Sequence, residues 1–159
     1  MHSYRKILTL VDISANGERV ARRAHNMARL YNATLAAATV VDYTAGYEDH
    51  AMLTPGQTCD ALVKQFTMRL NHLLSRIDAS GTETIVAAGH LKSSVTDVLQ
   101  SWQPDLVIVG SHAPYGLDQP KSLFGRHAGS LPFDILVVQM ATPQPIVGRL
   151  VHALSSAFC

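Results

Sequence analysis

Cysteine is nearly missing from this chain. Its 159 residues hold two, Cys59 and Cys159, far apart and in no CxxC pair. That excludes a disulfide framework and a Cys/His zinc site. Cys59 opens an apolar helical pattern and is expected to be a buried thiol. Aromatics make up 6% of residues and charged side chains 16%, against 47% hydrophobic, which is the balance of a folded domain and not of a disordered chain. No sign of charge dominates: thirteen basic residues face twelve acidic ones, so no basic excess points to a nucleic-acid backbone. No apolar run exceeds about nine residues, whereas a membrane helix needs roughly 20. The N-terminus runs into a strand-like stretch without the layout of a signal peptide, and the expected location is the cytoplasm.

Several motifs are missing too. There is no GxxxxGK[ST] and no GxGxxG after the first strand, which argues against a Walker-type NTPase and a dinucleotide dehydrogenase. The eight histidines show neither HxxxH nor HExxH spacing, so no metal is expected. No GxSxG elbow supports a hydrolase. A receiver domain would need a lysine on the last strand, and residues 133–139 contain none.

What is present is alternation. Residues 5–11 read as a short strand ending at Asp12. Residues 15–31 turn helical, with Val20, Ala24, Met27, Ala28 and Tyr31 on one face, Ser14 as N-cap and Asn32 as the stop. Residues 33–41 are apolar almost throughout, as in a strand covered on both faces. After a polar stretch at 42–54, Thr54, Pro55 and Gln57 open a helix whose stripe is Leu62, Phe66, Leu70, Leu73 and Ile77, ended by Ser80-Gly81. Strand 84–88 closes at Gly89. A third helix, marked by Val95, Val98, Leu99 and Trp102, stops at Pro104. Strand 105–109 ends in Gly110, a short helix is expected near 120–131, and 135–138 is the fifth strand. This β-α order predicts a parallel sheet with helices on both faces, with ligands beyond the carboxyl ends of the strands. Residues 141–159 form a C-terminal extension with an amphipathic pattern.

Chemistry-bearing residues collect at those ends. Asp12 can accept from a ribose hydroxyl or cap a neighbouring loop. In Gly110-Ser111-His112-Ala113-Pro114, glycine lets the backbone approach a ligand, and loop N–H groups ahead of a helix start make an anion site. His112 reads as a loop hydrogen-bonder or a catalyst. Ser111, His112 and Asp105 assemble a triad only on paper, since neighbours in one loop rarely aim at one point.

The segments Tyr4-Arg5-Lys6-Ile7-Leu8-Thr9-Leu10-Val11-Asp12, Ala28-Arg29-Leu30-Tyr31-Asn32-Ala33, Asp105-Leu106-Val107-Ile108-Val109-Gly110-Ser111-His112 and Asp134-Ile135-Leu136-Val137-Val138 resemble the universal stress protein family. The resemblance covers residues 4–139. It implies a universal stress protein domain over 1–140: an α/β, Rossmann-like fold of the adenine nucleotide alpha hydrolase-like type, with five parallel strands in the order 3-2-1-4-5. It further implies a non-enzymatic stress-response factor acting as a homodimer through strand five. The alternative on the same fold is an ATP-dependent switch or slow ATPase.

One branch of the family binds ATP through Gly-x2-Gly-x9-Gly-Ser/Thr. Here Gly110 matches the first glycine, Ala113 stands at the second, and Leu123 at the third. Gly125 comes two residues late and precedes Arg126 instead of a hydroxyl residue. Pro114 further narrows Ala113 toward extended geometry. The loop resembles the motif-poor branch more than the ATP branch, so ATP is not the favoured cofactor. By matching position, Asp12 and Val40 would meet ribose and adenine, with Gly110, Ser111 and His112 near phosphates. Lys121 and Arg126 could supply positive charge, and Gly125 either serves that loop or lets a short helix pack closely.

Overall fold

The computed structural model describes residues 3–42, 55–111 and 131–140. Its elements run β1 (Lys6–Leu10), α1 (Ala15–Tyr31), β2 (Thr34–Val41), α2 (Pro55–Arg76), β3 (Glu83–Ala88), α3 (Leu91–Trp102), β4 (Leu106–Gly110) and β5 (Asp134–Val138). The strands form one sheet in the order β3-β2-β1-β4-β5, and every adjacent pair is parallel. The expected short helix near 120–131, the loop 43–54 and the extension 141–159 lie outside the described residues.

Alternation along the strands sorts side chains to two faces. Leu8, Leu10, Ala36, Ala38, Val107 and Val109 face α3 through Val95 and Val98. Ile7, Leu35 and Ile108 face α1 through Val20, Ala24 and Ala28, while Val11 and Ala37 meet Leu70, Leu73, Leu74 and Ile77 of α2. The central strands are therefore covered twice, which explains the unbroken apolar reading of β2, seven of whose eight residues are buried.

The helix ends show how local signals operate. Ser14 Oγ accepts from the Gly17 N–H at 3.2 Å, as expected of the N-cap. Asn32 takes the left-handed conformation, and the Ala33 N–H reaches back to the Ala28 carbonyl. α2 ends at Arg76, earlier than Ser80-Gly81. Asp78 adopts φ 58°, and the Ala79 and Asp78 N–H groups bond the Leu74 and Ser75 carbonyls, so the stop is made without glycine. Ala79 is buried beside Leu74, and this apolar contact completes the motif just before the Ser80-Gly81 signal. Cys59 is half-buried, not enclosed, because it lies in the part of α2 that precedes its buried C-terminal stripe.

The amino edge of the sheet is clasped by side chains. The Asp105 carboxylate accepts from the backbone N–H groups of Arg5 at 2.8 Å and Lys6 at 3.0 Å. Lys6 Nζ donates to the Trp102 carbonyl at the end of α3 and lies 4.6 Å from the centre of the indole ring. The Tyr4 hydroxyl donates to Asp134 at 2.7 Å, tying the N-terminal segment to β5. This hydrogen bond, with the adjacent negative charge, raises the Tyr4 pKa above its ordinary 10.0.

Candidate functional site

In a sheet of this order the chain leaves β1 for β2 and β3 on one side, then crosses to β4 and β5 on the other. The crevice between the carboxyl ends of β1 and β4 is where such folds take ligands. Leu10 pairs with Ala38, and Thr9 with Ile108. Both pairings of β1 end before Asp12, at Leu10 toward β2 and at Thr9 toward β4. Asp12 and Ser111 thus follow the ends of the two strands that flank the crevice, two residues past β1 and one past β4, and Val40 lies near the end of β2 beside β1.

Each of these residues is held by its own backbone surroundings. The Asp12 carbonyl accepts from the Ser14 N–H at 2.9 Å, and its carboxylate accepts from the Ser14 hydroxyl. The same hydroxyl oxygen takes the Gly17 N–H, so carboxylate, cap and helix start form one relay. Gly17 is what lets them meet. A Cβ built there would lie 1.7 Å from the Asp12 carbonyl oxygen and 2.8 Å from Asp12 Oδ1.

Val40 is 8% exposed and its side chain belongs to the α3-side core. Gly110 closes β4 opposite Val138. Ser111 donates its N–H to the Val138 carbonyl at 2.9 Å, and its hydroxyl oxygen accepts from the Met140 N–H at 2.8 Å. The hydroxyl hydrogen remains as the donor this side chain can offer. His112, Lys121, Gly125 and Arg126 lie outside the described residues.

The paper triad fails on geometry. Asp105 precedes β4 and Ser111 follows it, so the strand separates them by about 20 Å. The Asp105 carboxylate is instead committed to the start of β1. Among the described residues no cluster of three metal-ligating side chains occurs. A recess of about 810 Å³ along α3, lined by Leu99, Pro104 and Phe133 among others, is not lined by Asp12, Val40 or Ser111.

At this edge Gly17 escaped the sequence reading, and so did the role of Asp42, which was read only as a strand end. Gly17 sits in the first turn of a helix, where glycine costs about 1 kcal/mol relative to alanine, and that cost was the signal of a close approach. Asp42 follows β2, and its Oδ2 accepts from the Leu91 N–H at 3.2 Å. It supplies the cap that His90, the local N-cap residue, does not make. Its partner is 49 positions away, beyond the reach of any local pattern.

Comparisons with known proteins agree with this fold. The model of the universal stress protein family matches residues 3–131. Universal stress protein A homolog 2 of Coxiella burnetii is 27% identical over 119 residues, covering 74% of this chain and 82% of the relative. A universal stress protein solved in complex with cAMP superposes with TM-score 0.60 at 22% identity, over 86% of this chain and 98% of that one. The universal stress protein of Archaeoglobus fulgidus in complex with dAMP gives TM-score 0.52 at 19% identity, over 86% and 98%. No helix among the described residues is long and apolar enough to cross a membrane. With a family model spanning most of its length, and the strand order that the resemblance implied, this chain belongs to the universal stress protein family.

Proposed function

We propose that this protein is a stress-response factor that acts by binding, without turnover, and takes an adenine nucleotide with a short phosphate chain at the β1/β4 crevice. The carrying observation is that Val40, Asp12 and Ser111 sit at the carboxyl ends of β2, β1 and β4, around the switch point. Asp12 supplies a carboxylate for a ribose hydroxyl. Val40, whose side chain is turned into the core, offers its main chain to the base. Ser111 offers one hydroxyl hydrogen toward phosphate. Ala113 and Leu123 stand where the ATP-binding pattern has glycine, which removes part of a triphosphate cradle. Solved neighbours carrying cAMP and dAMP fit the preference for a short phosphate chain. The protein works in the cytoplasm as a homodimer joined through β5, with 1–140 as the domain and 141–159 as an appendage.

The test is calorimetric titration of the dialysed protein with AMP, cAMP and Mg-ATP. Binding of a monophosphate at micromolar strength, tighter than Mg-ATP and lost in Asp12→Ala with the fold intact, is the expected result. No heat from any of them up to millimolar concentration would overturn the nucleotide reading. Phosphate release from ATP above background, abolished by Asp12→Ala, would replace it with the slow-ATPase alternative.

A further inference from the structure

β5 is the outer strand of the sheet, and its hydrogen-bonding pattern dictates how anything can pair with its far side. The Asp134 N–H donates to the Asp105 carbonyl, and the Val138 carbonyl accepts from Ser111. Residues 134, 136 and 138 therefore turn their backbone groups toward β4, and Ile135 and Val137 turn theirs to the free edge. Side chains alternate as well. Ile135 and Val137 belong to the α3-side core, while Leu136 and Val138 belong to the α1 side. Asp134 shares their parity, and its bond to Tyr4, which packs at the margin of the α1-side core, agrees.

α1 lies over the same side, where Arg19, Arg22, Arg23 and Asn26 line a recess of about 390 Å³ together with Leu136, Val137, Val138 and Gln139. Arg22 is engaged by Glu18 at 3.1 Å. Arg19 and Arg23 are exposed, one helical turn apart, and make no ion pair among the described residues.

We propose that Arg19 and Arg23 receive Asp134 of a second copy of this chain, so that an isologous pair of arginine–aspartate clamps sets the register of the β5 contact. The inference rests on the homodimer reading above and specifies its chemistry. In a two-fold antiparallel pairing, Ile135 and Val137, which offer outward backbone groups, must face each other across the axis. Centring the axis on Leu136 overlaps all five residues of β5. Leu136 then meets the partner subunit's Leu136, and Val138 meets the partner subunit's Asp134 on the α1 side. That carboxylate enters the recess where Arg19 and Arg23 stand, and symmetry repeats the contact. Apolar pairs fill the centre and charge-assisted pairs close both ends.

The test is sedimentation velocity on the full chain over a concentration series, at low and high salt. Arg19→Glu/Arg23→Glu is expected to weaken dimerisation by about tenfold or more, since each of two clamps becomes a repulsion. Adding Asp134→Lys to that variant is expected to restore the dimer. High salt should weaken the parent dimer and leave Val137→Pro, which removes an outward N–H without touching the β4 pairing, monomeric and folded. If Val137→Pro dissociates the dimer but the arginine variant and its rescue change nothing, the clamp is wrong and the strand contact stands. A monomeric parent at all concentrations, or a dimer that survives Val137→Pro, overturns both.

Discussion

Gly17→Ala sets two effects of opposite sign against each other. Alanine is the better helix former, and at an unconstrained helical position the exchange would stabilise by about 1 kcal/mol. Here the new Cβ would stand 1.7 Å from the Asp12 carbonyl oxygen. An ordinary nonbonded contact is about 3.5 Å, so backbone must yield by well over an ångström, which costs about 1–3 kcal/mol. The movement also pulls the Gly17 N–H from Ser14 Oγ, now at 3.2 Å, at a further cost of about 1 kcal/mol. The clash and the lost cap together outweigh the propensity gain, for a net loss of about 2 kcal/mol. For a domain of this size that lowers Tm by roughly 4–8 °C. Thermal unfolding followed by circular dichroism measures it. Gly81→Ala is the control, because a Cβ there meets nothing within 4 Å, and the expected change is between zero and a gain of about 1 kcal/mol. A Gly17→Ala protein as stable as its parent would refute the reasoning. The Asp12 loop would then be free to move, and glycine would not be what joins the helix start to the strand end.

Other consequences can be measured on the same protein. Asp42→Ala removes the acceptor for the Leu91 N–H and should cost about 1 kcal/mol, with hydrogen exchange rising first in the opening turn of α3; Asp42→Asn should recover part of the loss. Asp105→Ala strands the N–H groups of Arg5 and Lys6 and should cost about 2 kcal/mol by urea unfolding; a change under about 0.5 kcal/mol would mean water replaces the carboxylate. Tyr4 has its pKa raised in the folded state, so its bond to Asp134 contributes fully below pH 10 and is lost as pH rises through the higher folded value. Tyr4→Phe should therefore flatten the alkaline fall in stability, and ultraviolet titration should lose one late-ionising phenol.

The order of the described elements was legible in the chain because burial leaves a period. Strands covered on both faces read as unbroken apolar runs, and α1 shows its inward stripe of Val20, Ala24 and Ala28. Caps made by neighbours in sequence were legible for the same reason, as Ser14 and Asn32 demonstrate. The end of α2 was less so: Asp78 does there what glycine usually does, and only the buried contact of Ala79 with Leu74 makes that conformation worth holding. Strand order came from resemblance, since no periodicity in a strand names its neighbours.

The candidate site divides along the same line. Its residue types and their position after strands could be read from the chain: Asp12 after β1, Gly110 and Ser111 closing β4. That Val40, Asp12 and Ser111 come to one edge around the switch point was decided by strand order, because which strands are neighbours is a relation between segments and not a property of any one of them. The fate of the carboxylates was decided in the same way. Asp105 and Asp42 look alike as acidic residues beside strands, yet one anchors the start of β1 and the other caps α3, through partners 100 and 49 positions away. A sequence determines which groups the chain carries and the local conformations they favour. Which donor each acceptor meets depends on distances that exist only once the sheet has closed.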